Sequence, residues 1–153
     1  MSRIQIVDTT VFCNILGVPN RRQHQKRALE ELEEYRANGD TLLLPMAVVY
    51  ETGNHIAHHG TGGERRGVAE RFSDQVSKAL SGHSPFSPTR IHDAEDVRAW
   101  LTDFPDYAVK GIGFGDRSII EIWEQQRALN PSRRTVIWAY DDDLQGYDSA
   151  PKL

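Results

Sequence analysis

Short β-branched runs alternate with longer amphipathic stretches along the chain. Ile4, Ile6 and Val7 form the first run, read as a buried strand that stops on Asp8. A short helical piece, Val11 to Leu16, follows and ends at Gly17 and Pro19, both natural helix terminators. From about Arg21 to Ala37 the apolar positions Ala28, Leu29, Leu32 and Tyr35 recur at helical spacing, and Asn38 and Gly39 close the segment. Thr41 to Leu44 is continuously apolar, as in a strand buried on both faces, and Pro45 ends it. Strand, helix and strand in this order predict a parallel crossover.

The same alternation continues toward the C-terminus. Met46 to about His59 reads as a helix with Val48, Val49, Gly53, Ile56 and Ala57 on or near its inner face. Gly60 to Gly63 is a break, and Glu64 to Leu80 is a further amphipathic helix. Ser81 to Pro88 reads as a loop leading to a short strand at Thr89 to His92. Asp93 is placed as an N-cap with Asp96 three residues on, ahead of a stripe made by Val97, Trp100, Leu101 and Phe104. The glycine-rich run Gly111 to Gly115 precedes Asp116, and a helix continues through Ile119, Ile120, Ile122 and Trp123 to about Leu129. Arg134 to Tyr140 is the last strand, and it runs out into Asp141, Asp142 and Asp143. This order predicts an α/β fold, a three-layer α/β/α sandwich with a central parallel sheet.

Composition narrows the function classes. The 153 residues fit one compact domain, and 26% charged with 39% apolar residues describe a globular chain. No run approaches the roughly 20 apolar residues of a membrane span. One Arg before a very short apolar stretch makes a poor signal peptide, so a cytoplasmic location is expected. The lone Cys13 excludes an internal disulfide and a cysteine-based zinc site. A net charge of −4 counts mildly against polynucleotide substrates, although bound cations would reverse the local sign of an acidic cleft. Basic clusters occur at Arg21, Arg22, Lys26 and Arg27, at Arg65 and Arg66, and at Arg133 and Arg134, and each reads as solvated surface.

Four acids stand at positions where a parallel sheet gathers its chemistry. Asp8 and Asp141 follow apolar strands, while Glu51 and Asp116 lie near helix starts reached from loops. Strand carboxyl ends share one edge of such a sheet, and the following helices begin there. A cluster of like charges is costly unless protonated, hydrogen-bonded or holding cations, and all-oxygen donors suit Mg²⁺ or Mn²⁺. Divalent ions so held activate water and neutralise charge on a phosphoryl group. The bland roles stand beside this one: Asp8 caps the next helix, Asp116 caps its own or pairs with Arg117, and residues 141–143 form a solvated turn. Thr9 and Thr10 place a hydroxyl beside Asp8 that either orients a metal-bound water or caps the helix.

Ile-Val-Asp-Thr-Thr at 6–10, Pro-Met-Ala-Val-Val-Tyr-Glu-Thr-Gly-Asn at 45–54, Gly-Asp-Arg-Ser-Ile-Ile at 115–120 and Val-Ile-Trp-Ala-Tyr-Asp-Asp-Asp-Leu-Gln-Gly-Tyr-Asp at 136–148 together resemble a PIN domain, the ribonuclease fold of VapC-type toxins. The resemblance spans nearly the whole chain. It implies a Mg²⁺- or Mn²⁺-dependent endoribonuclease with its acids at Asp8, Glu51, Asp116 and Asp141 and its hydroxyl neighbour at Thr9. It also implies a homodimer and a cognate antitoxin protein whose tail covers the cleft. Many PIN domains carry Thr or Ser two residues before the fourth acid, where this chain has Ala139, so Asp142 or Asp143 is a candidate to share that position.

Three other readings remain open. His55 and His59 share a helix face with Glu51 one turn earlier, but no distant third ligand completes a zinc site, which leaves His55, His58 and His59 as surface or cleft-rim residues. Asp-Thr-Thr-Val at 8–11 faintly resembles the haloacid dehalogenase phosphatases, with Asp8 as nucleophile, although that family expects an Asp where Thr10 stands. A catalytically silent PIN-like scaffold that binds RNA or protein is the alternative from outside enzymology.

Overall fold

The computed structural model describes residues 2–149. Its centre is a five-stranded sheet built from β1 (Ile4–Val7), β2 (Thr41–Leu44), β3 (Phe86–Pro88), β4 (Thr135–Trp138) and β5 (Asp148–Ser149), in the order β3-β2-β1-β4-β5. The first four run parallel, and β5 pairs antiparallel with β4. All four residues of the central strand β1 are buried, as expected of a strand covered on both faces. In β2 only Leu42 and Leu44 are fully buried, so one of its faces is less completely covered than the apolar run implies.

Six helices connect the strands: α1 (Thr9–Leu16), α2 (Gln25–Ala37), α3 (Met46–His58), α4 (Gly62–Leu80), α5 (Ala94–Val109) and α6 (Phe114–Leu129). Helix α1 packs against α2, α3 and α4, while α6 packs against β1, β4 and α5. The result is an α/β fold of three-layer α/β/α type. Phe12 on α1 is fully buried and meets Phe86 of β3 edge-on at 5.6 Å, closing the core between helix and sheet edge. On the α6 side, Trp123 donates its indole N–H to the Thr135 carbonyl at 2.9 Å, which clamps the helix to β4.

Local chemistry sets the element boundaries. Gly17 ends α1 in the left-handed region, at φ +74°, where a side chain would be strained. Asp93 and Asp96 form a reciprocal capping box at the start of α5, as their spacing predicts. A second capping box, Thr61 with Glu64, starts α4 two residues before the sequence-based boundary.

Two predicted elements shift, and two residues of predicted packed stripes are exposed. The third strand lies at Phe86–Pro88 rather than Thr89 to His92, because Phe86 inserts into the core opposite Leu42 and an edge strand tolerates Pro88. Helix α2 begins at Gln25 instead of Arg21, since Asn14 Oδ1 accepts the His24 N–H at 2.7 Å and holds the preceding residues in a loop. Leu29 and Leu101, assigned to packed stripes, are 42% and 54% exposed.

Candidate functional site

Asp8 leaves the carboxyl end of β1 and becomes the N-cap of α1, so its capping role and its position at the sheet edge are the same fact. Its Oδ2 accepts from the Thr10 N–H at 3.1 Å and from the Thr10 hydroxyl at 2.7 Å, and the residue is only 2% exposed. Burial nonetheless raises the carboxyl above its ordinary value, with the Thr10 bonds opposing that rise. Thr9, the first residue of α1, donates its hydroxyl to Glu51 Oε2 at 2.8 Å, tying the first helix to the second turn of α3.

Asp116 lies in the first turn of α6, and Asp141 caps a one-turn 3-10 helix, Asp142–Leu144, by accepting from the Asp143 N–H at 2.9 Å. One cleft of about 260 Å³ is lined by Asp8, Thr9, Glu51, Asp116 and Asp141 together. One oxygen each from Asp116, Asp141 and Asp143 lie within 4.8 Å of one another. The four acids singled out in the sequence therefore face a common space, and Asp143 adds a fifth at its rim.

The charges in this cleft go largely unneutralised. Arg117, the cation nearest in sequence to Asp116, turns away and pairs instead with Asp103 at 2.8 Å and Glu121 at 3.2 Å. None of the five carboxylates takes part in an ion pair among the described residues. Desolvation first, and then the charges of Asp8, Asp141, Glu51 and Asp143, push the Asp116 carboxyl up to about 7. A set of oxygen donors that crowds like charge to this extent fits a hard divalent cation: among the described residues Asp116, Asp141 and Asp143 stand close enough to hold one, while Asp8 and Glu51 line the same cleft outside that close set.

Gly115 explains how Glu51 reaches this position. A Cβ at Gly115 would overlap the Glu51 carboxylate, so the glycine at the start of α6 is what lets the α3 carboxylate approach. Within the glycine run, Gly115 alone serves a close packing contact, which sequence spacing does not reveal. Next to Ala139, which offers the fourth acid no hydroxyl, the Tyr140 N–H donates to the Thr10 hydroxyl at 3.0 Å. The Thr10 oxygen thus links Asp8 to the segment that carries Asp141.

The histidines divide. His55 lines the cleft, where burial and the neighbouring Arg21 lower its pKa and favour the neutral ring. His58 bonds the Asn54 carbonyl, and His59 lies within 3.4 Å of Asn20. His55 and His59 face each other at 5.8 Å, but among the described residues no cluster of three metal-binding groups includes a histidine. Arg21, read from sequence as solvated surface, also lines the cleft, and only the late start of α2 puts it there. No helix is long and apolar enough to cross a membrane among the described residues. Comparison with protein-family models, curated proteins and solved structures returns no match to this chain.

Proposed function

We propose that this protein is a Mg²⁺- or Mn²⁺-dependent endoribonuclease of PIN type, hydrolysing phosphodiester bonds in RNA. The observation that carries the reading is the gathering of Asp8, Glu51, Asp116 and Asp141 around one cleft without a paired cation. Divalent ions bound there would supply Lewis-acid stabilisation of the phosphate and an activated water. The chain's own part is positional. Thr10 fixes the Asp8 carboxylate and Thr9 fixes Glu51, so two of the four donors are held before any ligand arrives. Arg21 supplies positive charge at the rim, where a phosphate strand would otherwise meet only acids. Water adds to phosphorus, the bond to the departing ribose oxygen breaks, and that oxygen takes up a proton. The PIN resemblance extends the proposal to a homodimer and to an antitoxin partner.

The phosphatase reading fares worse at the same residue. That family carries an Asp two positions after its nucleophile, whereas here Thr10 stands there and spends its N–H and hydroxyl on Asp8 Oδ2. The test is cleavage of end-labelled single-stranded RNA and total cellular RNA by purified protein with Mg²⁺, Mn²⁺ or EDTA. Expected are metal-dependent fragments that vanish with EDTA and fall by about 100-fold or more in Asp8→Asn, the scale of losing a group that orients the reacting centre. Cleavage indifferent to EDTA and to Asp8→Asn, or none with either metal, overturns the proposal.

A further inference from the structure

A second cavity, of about 180 Å³, adjoins the acidic cleft and shares Thr9, Thr10, Arg21 and His55 with it. Its remaining lining is of a different character: Cys13, Asn14, Asn20, Gln23, His24 and Tyr140 contribute thiol, amide, imidazole and phenol groups, and no carboxylate lines it. Cations therefore have no reason to collect there. Arg21 stands at the junction, and while Arg22 pairs with Glu64, Arg21 has no ion-pair partner among the described residues. Its guanidinium is a fork suited to phosphate oxygens.

The walls of this cavity are held in place before any ligand arrives. Asn14 donates to the Thr10 carbonyl and accepts from the His24 N–H, both at 2.7 Å, stapling the 18–24 loop onto α1. Within the loop the Arg21 N–H bonds the Val18 carbonyl at 2.9 Å, and Gln23 Nε2 donates to the Asn20 carbonyl at 2.8 Å. Asn20 itself sits in the left-handed region at φ +65°, a conformation that few residues other than glycine, Asn and Asp adopt readily. On the opposite wall Tyr140 is fixed by its hydroxyl, which donates to Glu31 at 2.6 Å, and by its N–H on Thr10. Arg27 covers one side of the ring at 4.6 Å, and the His24 ring meets it edge-on at 5.3 Å. The volume is below the roughly 300 Å³ that drug-sized ligands occupy, which points to one small planar or polar group.

We infer that this cavity is a nucleotide subsite: it seats the base next to the scissile linkage of an RNA strand, while Arg21 binds the phosphate between the two cavities. The inference rests on the nuclease reading for the chemistry next door but not for the binding itself. Gln23 Oε1, Asn20 Oδ1 and the His24 ring have no hydrogen-bond partner among the described side chains and supply donors and acceptors for a base edge. Sequence preference in cleavage would then come from the 20–24 loop rather than from the acids, because unstacked bases are read by edge contacts.

The test is a ¹H–¹⁵N chemical-shift titration of the protein in Mg²⁺ with adenosine 5′-monophosphate, uridine 5′-monophosphate and inorganic phosphate. Amides of residues 20–24 and Tyr140 should shift and saturate, with at least one nucleotide binding more tightly than inorganic phosphate. Arg21→Gln, at an exposed position, should weaken that nucleotide by about tenfold or more, the scale of one charge-assisted hydrogen bond. In RNA cleavage the same change should raise KM far more than it lowers kcat. Shifts confined to the acidic cleft, inorganic phosphate binding as tightly as both nucleotides, or unchanged affinity in Arg21→Gln each overturn the subsite. Loop shifts without any RNA cleavage leave the subsite standing and remove the nuclease proposal, whereas cleavage without loop shifts does the reverse.

Discussion

Replacing Asp116 with Asn should stabilise the metal-free protein, although it removes a group proposed to be essential for its chemistry. The folded protein holds the Asp116 proton up to about pH 7, whereas its ordinary value is 3.8. A carboxyl that binds its proton more tightly when folded favours the native state at low pH and loses that advantage as pH rises from about 4 to about 7. At about 1.4 kcal/mol per pH unit the ceiling is about 4 kcal/mol, which solvent screening of this partly exposed group reduces to about 1–2 kcal/mol. Asn is close in shape and never ionises. Urea unfolding in EDTA should therefore find Asp116→Asn equal to wild type near pH 4 and more stable by about 1–2 kcal/mol at pH 8. For a domain of this size the melting temperature should rise by about 2–8 °C. Saturating Mg²⁺ should reverse the order, because a ligand at about 100 times its Kd adds about 2.7 kcal/mol to the species that binds it. A pH-independent difference, or a destabilised variant in EDTA, would refute the crowding of charge on which the reasoning depends.

Three further substitutions separate the site from its scaffold. Gly115→Ala should leave the fold within about 1 kcal/mol, since a flexible carboxylate can swing aside, yet weaken Mn²⁺ binding measured by calorimetry by displacing Glu51. Thr10→Val removes the hydroxyl that serves Asp8 and Tyr140, and thermal unfolding should show a loss of about 2–3 kcal/mol from two broken hydrogen bonds, one to a buried carboxylate. Arg117→Ala deletes a buried guanidinium that joins Asp103 on α5 to Glu121 on α6; chemical denaturation should report a loss of about 3 kcal/mol, with Mn²⁺ affinity per folded molecule unchanged.

Strands β1, β2 and β4 are legible because each is a short apolar run between turn residues, and their parallel pairing follows from the helices between them. The acids are legible for the same reason, since Asp8 and Asp141 sit just beyond strands whose carboxyl ends share an edge. What escapes is whatever depends on contact between distant segments. Phe86 looks like part of a proline-rich loop until its pairing with Leu42 makes it a strand. Two-residue β5 carries no periodicity at all and is defined by its antiparallel pairing with β4, Val136 opposite Asp148, beside which Arg134 pairs with Asp148. Gly115 reads as a loose linker because its reason, the carboxylate 64 positions earlier, is visible only in three dimensions. Arg21 hides in a basic cluster whose helical spacing is real from Gln25 onward but fails before it, where Asn14 captures the chain.

Mn²⁺ binding followed by electron paramagnetic resonance bears most directly on the central claim, because free and bound Mn²⁺ differ in signal without any assumption about substrate. The account predicts one or two ions bound per chain at neutral pH, displaced by Mg²⁺, with affinity lost in Asp8→Asn and Asp116→Asn and retained in Arg117→Ala. Absence of binding at millimolar Mn²⁺, or binding that survives both acid substitutions, would contradict it.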